Sequence, residues 1–539
     1  MIIDSFQHLR LKYHPPGREG LVLASTAPDR IAAPSLFSSD LPRAVLIAAF
    51  LLFLANLLAS GLFAPLWLDE NFSATIAAQP TLHGLINWCL NELSGPLYYS
   101  LLWAWEKIAG DSNAALRIPT LFFSMAAPAF LLWKGHEDRT IRYLWAVSIA
   151  LWRPGFDIAT EARPYSLMLF LGCVQAVFFL RLMRQPTTAR AALWAGMCSL
   201  AVLTHYHAAV IAGIQGIAYL LIGRGGALRT WPAAFVLLPM VVWMNWHLHI
   251  VLNFAGSGYS WYQLLSWQEA LFAPLFLCGS VATLIALGFI LPVWVYARLG
   301  KARSTETASP PLSPELVLMC TGLLSAACVI AIGFVRPSFS IRYLLPYVGA
   351  VSLLIPLVLR DVKQLVPAAP MVIILLLIGS AVPPLLQRLT HPLDDHRYAF
   401  NFEQPSEWIM RNSRARRLVY LWDNPTALMG KPDKLADVGG FFFRRDRRSV
   451  EVVIPRYALN ADPQPSVLKL AEGRPDTAII WAYDKGVPNT SALLHPPRLS
   501  QDRRWMCRNF GSGSVTVLAC IPASARIDFN GGKVNATLG

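Results

Sequence analysis

The stretch Ala64-Pro65-Leu66-Trp67-Leu68-Asp69-Glu70 closes the first long apolar run of the chain. It places two adjacent carboxylates at the point where a membrane helix meets water. Further apolar windows follow as far as residue 388, and about 18 apolar residues are enough to cross the hydrocarbon layer of a bilayer. We therefore expect a polytopic membrane protein whose later segments bring other charged groups to the level of Asp69 and Glu70.

The composition argues against nucleic acid, which is the partner that a basic chain first suggests. Of 539 residues, 55% are apolar and only 14% are charged, although the net charge is +14; the mean hydropathy is +0.44. Most Lys and Arg residues before the C-terminal region lie in short loops between apolar windows, where they orient a membrane protein. This placement argues against nucleic acid as a partner.

Eleven apolar windows predict membrane helices, and one further stretch does not. The windows are 44–66, 116–133, 143–158, 165–183, 189–204, 207–223, 231–250, 270–297, 315–335, 343–359 and 366–388. The stretch 95–109 is shorter, rich in aromatic residues and charged near its end. We expect it to lie in the membrane interface.

The loop charges set the predicted topology. If the N-terminus is cytoplasmic and 95–109 does not cross, nearly all the positive loop charge is cytoplasmic, as the positive-inside rule requires. These residues are Lys134, Arg139, Arg142, Arg181, Arg184, Arg190, Arg224, Arg229, Arg298, Lys301, Arg303, Arg360 and Lys363. If 95–109 crossed the membrane, all of these positively charged loops would lie on the extracytoplasmic side instead.

Three regions follow from this topology. Residues 1–41 form a cytoplasmic N-terminal tail, 42–388 the transmembrane domain and 389–539 an extracytoplasmic domain. The first outer loop runs from Trp67 to Arg117 and contains amphipathic pieces that predict interfacial helices. The fold class is therefore an all-α polytopic membrane protein with a small C-terminal domain.

The C-terminal domain reads as α/β. Apolar runs at Arg417–Trp422, Val450–Ile454 and Thr477–Tyr483 predict strands, and Trp505–Cys520 predicts a hairpin. A turn centred on Gly513 and Ser514 would set Cys507 opposite Cys520. Those two cysteines form either a disulfide, in an oxidising compartment, or two free thiols.

The predicted outer face collects candidate site residues. Asp69 and Glu70 are either a solvated pair or carboxylates in a partly apolar pocket, where one can act as a base. Glu161 and Arg163 precede a membrane helix, where they form a local ion pair or face Asp69 and bind a phosphate. His205 is a further candidate. Arg336 and Arg342 lie at helix mouths, where they anchor to headgroups or bind a lipid phosphate.

These residues belong to an ordered set of motifs that resembles a known family, the bacterial relatives of the dolichyl-phosphate-mannose protein mannosyltransferases. That superfamily also includes lipid A aminoarabinose transferases and galacturonosyltransferases of the lipopolysaccharide core. The resemblance covers roughly residues 44–360. The motifs are Trp67-Leu68-Asp69-Glu70, Gly95-Pro96-Leu97-Tyr98-Tyr99, Ala115-Leu116-Arg117-Ile118-Pro119, Glu161-Ala162-Arg163-Pro164-Tyr165, Thr204-His205-Tyr206 and Arg342-Tyr343-Leu344-Leu345-Pro346.

The resemblance implies a membrane glycosyltransferase of the GT-C fold. Such an enzyme takes a sugar from a polyprenyl-phosphate carrier on the extracytoplasmic face, here that of a bacterial inner membrane, and an acid of the first outer loop activates the acceptor. We carry that role to Asp69. The family often has a His before Pro-Leu-Tyr-Tyr, but Ser94 and Gly95 stand there, so no histidine role is carried over.

The expected chemistry is direct displacement with inversion. A lipid phosphate is a good leaving group, so one base and a set of cations suffice. The expected catalytic residues are Asp69, Glu70 and Glu161. The expected phosphate ligands are Arg163, Arg342, Arg117 and Arg336, and further candidates for the site are His205, Tyr98, Tyr165 and Tyr343. No cofactor is required; a divalent cation on Asp69 and Glu161 stays open.

The expected partners are the lipid-linked sugar donor, membrane lipids, and a lipid, glycan or protein acceptor. The competing hypothesis is a transporter or flippase of lipid-linked sugars. A transport pathway places ionisable groups near the bilayer midplane. The charges singled out here lie instead at helix ends on one face, which favours the enzyme.

The topology makes a direct prediction. A cysteine introduced between Lys134 and Arg142 is alkylated by a membrane-impermeant reagent only from the cytoplasmic side. Labelling of the same cysteine in intact cells, from outside, would contradict the assignment of every later loop.

Overall fold

The computed structural model describes residues 43–255, 264–304, 313–363, 365–394, 396–423, 431–458, 461–485, 491–511 and 515–525. The predicted tail 1–41 lies outside the described residues. Those that are described belong to one compact unit, Asp40–Gly539.

Before the C-terminal sheet, the regular elements of the described chain are all helices. Short 3₁₀ turns at Trp231–Leu237 and Ile341–Leu344 lead into two of them, which begin at Leu238 and Leu345. The helices are α1 Arg43–Leu58, α2 Leu68–Ala77, α3 Leu82–Cys89, α4 Pro96–Ala109, α5 Asn113–Lys134, α6 Arg139–Ala150, α7 Pro154–Ile158, α8 Tyr165–Arg184, α9 Thr188–Thr204, α10 Ala208–Leu228, α11 Leu238–Ala255, α12 Trp267–Cys278, α13 Val281–Ser304, α14 Pro314–Val335, α15 Leu345–Val351, α16 Leu354–Val362 and α17 Ala369–Thr390.

The predicted membrane class is confirmed, with fewer full-length spans than eleven. Within the described residues, seven helical segments are long and apolar enough to cross a membrane, or eight if α12 and α13 count as one bent span. The seven are Asn113–Lys134, Tyr165–Arg184, Ala208–Leu228, Trp231–Asn253, Pro314–Val335, Ile341–Val362 and Ala369–Thr390. Every predicted window does contain a helix.

The difference in number has local causes. Helices α1 and α9 are apolar but shorter than the seven candidate spans. Window 143–158 is divided, because α6 ends at Ala150 and Pro154 starts a separate helix. Helices α12 and α13 meet at 83° across Gly279, whose φ is +82° and where a Cβ atom would lie 2.7 Å from the Trp152 ring. Only glycine fits this bend.

Helix α4, the stretch that we expect not to cross, has 14 residues and starts at Pro96. It packs against α2, α3, α5 and α9. The backbone of α9 passes so close that a Cβ atom on Gly95 would lie 1.9 Å from the Leu203 carbonyl oxygen, and the Gly95 N–H donates to the Thr204 carbonyl over 3.2 Å. This contact fixes where Tyr98 and Tyr99 enter the protein.

The structure separates the two predicted membrane faces along α8. At its last residue, Arg184 bonds to Glu315 at the start of α14 over 2.5 Å, and Arg181 donates to the Lys134 carbonyl over 3.0 Å. At its first residue, the Tyr165 hydroxyl accepts a bond from Arg342 over 3.0 Å. The 20 residues of α8 rise about 30 Å between these clusters. Arg184 and Glu315 thus lie at one end of α8, and Tyr165 and Arg342 lie at the other.

The predicted C-terminal α/β fold is confirmed. Its helices are α18 His396–Ala399, α19 Glu403–Asn412, α20 Pro432–Arg445, α21 Gln464–Ala471 and α22 Ser491–Leu494. Its strands are β1 Arg417–Asp423, β2 Glu451–Val453, β3 Thr477–Asp484, β4 Trp505–Asn509 and β5 Val515–Pro522. They form one sheet in the order β2-β1-β3-β5-β4. Strands β1 to β3 are parallel, while β5 and β4 are added antiparallel.

The central strands of this sheet are buried. Strands β1 and β3 are buried along nearly their whole length, as expected for central parallel strands covered on both faces. In the hairpin, Cys507 stands directly opposite Cys520, and the two form a disulfide.

The C-terminal domain packs on the first outer loop. A carboxylate oxygen of Glu403 accepts bonds from the Leu66 N–H over 3.1 Å and from the Asn113 amide over 2.8 Å. Its other oxygen pairs with Arg445. The Trp422 ring contacts the Phe72 ring on α2 at a centroid distance of 5.6 Å. The domain thus supports the helix that carries Asp69.

Replacing Glu403 tests this support. We expect E403A to lower the free energy of unfolding by about 3 kcal/mol, because a largely buried arginine and a buried N–H lose their acceptor. The control E407A removes an exposed carboxylate from the same helix and changes it by no more than about 0.5 kcal/mol. Thermal melting of purified protein distinguishes them; equal melting temperatures would contradict the support role.

Candidate active site

Helix α2 begins where the sequence predicts an acidic pair. The Glu70 carboxylate reaches back to accept a bond from the Trp67 N–H over 3.2 Å, which stabilises the first turn. Acidic residues are also favourable there because the N-terminal end of a helix is electropositive. Asp69 and Glu70 then leave the helix in different directions and enter different environments.

Glu70 forms a buried ion pair with Arg117. Both side chains are 0% exposed, and the guanidinium binds both carboxylate oxygens, over 2.7 and 2.6 Å. Arg117 also donates to four backbone carbonyls within Gly61–Pro65, while Glu70 accepts the Ala162 N–H over 2.8 Å. Every nitrogen of Arg117 thus has a protein partner, so the pair joins segments instead of facing a ligand.

Asp69 lies between two arginines. Its Oδ2 atom is 3.4 Å from Nη1 of Arg342 and 3.9 Å from Nη2 of Arg163. Asp69 keeps 25% of its side chain exposed, Arg342 keeps 32% and Arg163 keeps 11%. The three charges, which are far apart in sequence, thus form one partly open cluster.

Further groups hold the two arginines in place. Arg163 donates to the Tyr99 hydroxyl over 3.0 Å and to the Asp69 backbone carbonyl over 3.3 Å. Arg342 donates to the Tyr165 hydroxyl over 3.0 Å and to Ser340 over 3.4 Å. The Tyr165 ring lies within 6.0 Å of both guanidinium carbons, a distance at which cation–π attraction adds to the hydrogen bonds.

Glu92 belongs to this cluster and was not predicted from the sequence. Its carboxylate lies 3.8 Å from Arg163, and burial raises its pKa. The sequence only weakly indicates that Glu92 belongs to the site, because a carboxylate in an amphipathic stretch usually lies on the solvated face. Only the fold of the first loop turns it towards Arg163.

Glu161 is close to the cluster but has a different electrostatic state. Its side chain is almost fully buried. Burial raises its pKa from 4.5 to about 8, against the lowering effect of Arg342. At neutral pH Glu161 is therefore mainly protonated, which makes it a hydrogen-bond donor and a poor base.

The other predicted residues are distributed around this cluster. Tyr98 and Tyr343 are buried, and the ring of His205 packs on that of Tyr343 at 4.8 Å. Burial lowers the pKa of His205 well below its ordinary value, so this imidazole is neutral. Arg336 is exposed at the end of α14, and no contact in the described part of the chain joins it to Asp69.

In the part of the chain that the structure describes, no third metal ligand joins Asp69 and Glu161. Among the described residues, no three His, Cys, Asp or Glu side chains converge. We therefore derive no step through a divalent cation.

A cavity of about 680 Å³ reaches the residues just before Arg342; its lining is mostly apolar but includes Arg153, Asp157 and Glu269. Ser340, which accepts a bond from Arg342, forms part of its wall. Phe272 and Phe276 of α12 line it as well. Asp69, Arg163 and Arg342 do not line this cavity themselves, so Ser340 is the residue that links it to the arginine cluster.

Among the solved structures that match the chain, two crystal structures do so over most of its length. ArnT from Cupriavidus metallidurans in the apo state has 12% identity and a TM-score of 0.55, covering 88% of this chain and 98% of that one. The same protein bound to undecaprenyl phosphate has 11% identity and a TM-score of 0.57, covering 90% and 99%. The chain has the fold of ArnT. No protein-family model and no curated protein sequence matches it.

The ArnT fold confirms the GT-C architecture implied by the sequence resemblance. At this level of identity, the likeness concerns the path of the chain alone. The roles of Asp69 and its neighbours are therefore inferred from their own contacts and exposure, and not from the likeness in fold.

The raised pKa of Glu161 predicts a dependence of stability on pH. The folded protein keeps this proton up to about pH 8, whereas the unfolded chain releases it near the ordinary pKa of 4.5. The folded state then binds more protons, so the free energy of unfolding falls as pH rises between those values.

The variant E161Q carries no titrating group there and should lose this part of the slope. Melting temperatures of both proteins across that pH range check it, with E106Q, from the first loop, as a control that keeps the slope. Identical slopes in the wild type and E161Q would contradict the assignment.

Proposed function

We propose that this protein is a glycosyltransferase that moves a sugar from a polyprenyl-phosphate donor to an acceptor hydroxyl. The observation that carries the proposal is the position of Asp69, a partly exposed carboxylate between two arginines. One of them, Arg342, donates to Ser340 in the wall of a mostly apolar cavity. These are the groups that the reaction needs, namely a base, a phosphate ligand and a site for a lipid chain.

The donor class is supported from two sides. Guanidinium groups bind phosphate through paired, charge-assisted hydrogen bonds, and Arg163 and Arg342 present theirs towards a common point at Asp69. The structure of similar fold was crystallised with undecaprenyl phosphate. We assign the phosphate to the two arginines and the polyprenyl chain to the mostly apolar cavity that begins at Phe339 and Ser340.

The proposed reaction is a single displacement. The acceptor hydroxyl gives its proton to the Asp69 carboxylate, and its oxygen forms a bond with the anomeric carbon of the sugar. The bond from that carbon to the phosphate oxygen breaks, and its electron pair leaves with the polyprenyl phosphate. Arg163 and Arg342 stabilise the charge that develops there.

The remaining residues position these groups. Protonated Glu161 donates a hydrogen bond to the acceptor or the sugar. The rest of the active site is lined by Tyr98, Tyr165, Tyr343 and His205. Glu70 and Arg117 act on the reaction only through the position of α2, because their charges are used in their own pair. Arg336 has no role in this proposal.

The proposed location is a bacterial inner membrane, with the active site and the C-terminal domain periplasmic. The segregation of Arg184 and Glu315 from Tyr165 and Arg342 along α8 supports this topology. The ionisable groups of the site lie at helix ends, which favours transfer at the interface over transport through the midplane.

Mass spectrometry tests the proposal and identifies the acceptor. Lipids, surface glycans and exported proteins are compared between cells with the gene, without it, and with D69N or E106Q in its place. We expect a mass increase of one hexosyl or pentosyl unit on one acceptor class only in cells with the wild type or E106Q.

The D69N variant should lower the rate by about 10²–10⁴-fold, the usual contribution of general base catalysis. Full activity of folded D69N would contradict the base assignment. Identical spectra with and without the gene would contradict glycosyl transfer itself.

A further inference from the structure

We propose that Asp69 competes with the donor phosphate for Arg163 and Arg342, and that donor binding is what releases it to act as the base. This inference rests on the proposed function. It gives one carboxylate two successive roles: counter-ion of the phosphate ligands first, proton acceptor second.

The geometry points to competition because both arginines approach the same oxygen. Oδ2 of Asp69 lies 3.4 Å from Nη1 of Arg342 and 3.9 Å from Nη2 of Arg163. Both guanidinium groups also lie against Tyr165, so two like charges are held close together in a partly buried place. Such a pair needs anions beside it. Glu92 lies 3.8 Å from Arg163, but Asp69 is the carboxylate whose oxygen lies close to both arginines.

A phosphate would use the same contacts. Carboxylate and phosphate oxygens accept the same charge-assisted bonds from guanidinium, and phosphate presents more oxygens and more charge. An anion that takes both arginines must therefore displace the Asp69 oxygen or lie beside it, where the two negative charges repel each other.

The arginines do not depend on the Asp69 side chain for their positions. Arg163 keeps its bonds to Tyr99 and to the Asp69 backbone, and Arg342 keeps its bonds to Tyr165 and Ser340. The phosphate ligands are thus held in place before the carboxylate leaves, and the exchange of anions needs no rebuilding of the site.

The exchange also frees the base. A carboxylate oxygen that has left both guanidinium groups can accept a hydrogen bond from the acceptor hydroxyl. Asp69 can then accept the proton of the acceptor hydroxyl, but only while a donor phosphate is in place. The consequence is an ordered reaction in which the donor binds first and the acceptor is activated second.

Binding of undecaprenyl phosphate to the full-length protein in nanodiscs tests the competition. We expect D69N to bind this carrier about tenfold more tightly than the wild type, because a competing charge is removed without a change of shape. The variant R342Q should bind about tenfold more weakly because it lacks one ligand. The control E407Q removes an exposed ion-paired carboxylate and leaves the affinity within about twofold.

Equal or weaker binding by D69N, with the wild type and R342Q behaving as expected, would overturn the competition and leave the proposed function standing. Absence of binding to the wild type would overturn both.

A cryo-EM structure of the wild type with undecaprenyl phosphate gives a measurement that does not depend on a variant. The inference requires the Asp69 oxygen to be farther from Arg342 and Arg163 than 3.4 and 3.9 Å, with phosphate oxygens on the two guanidinium groups. Asp69 still bonded to Arg342, with the phosphate bound elsewhere, would overturn it.

Discussion

The buried ion pair of Glu70 and Arg117 is the interaction on which the rest of the site depends. Neither charge reaches water, so each is stabilised only by the other and by backbone groups. Because Glu70 also accepts the Ala162 N–H, the pair joins the first outer loop, α5 and the segment that precedes α8. Removing one partner leaves an uncompensated buried charge, which costs about 3–5 kcal/mol.

The adjacent residues Asp69 and Glu70 therefore have different roles: Glu70 is structural and Asp69 faces the site. Consecutive side chains of a helix point in different directions, so fixing Glu70 in the interior turns Asp69 towards the arginine cluster, where it stays 25% exposed. The C-terminal domain adds a second constraint, through Glu403 and the contact of Trp422 with Phe72. The reactive carboxylate is thus carried by a helix held on two sides.

Local patterns predicted the fold class and the strands because these depend on periodicity along the chain. The shared face of Asp69, Arg163 and Arg342 was also predictable, because a membrane reduces the positions of loops to two sides. The contacts of Asp69 with Arg163 and Arg342, which are 94 and 273 residues away in sequence, could not be predicted. Hydropathy also missed the break at Pro154, and nothing local shows that Arg117 pairs with Glu70.

The anomeric configuration of the product tests the single displacement at Asp69 most directly. A polyprenyl-phosphate sugar of known anomeric configuration is incubated with the purified protein and its acceptor, and the product is analysed by NMR. One base and one displacement predict the opposite configuration in the product. Retention would contradict the account, because it requires two displacements through a glycosyl-enzyme intermediate.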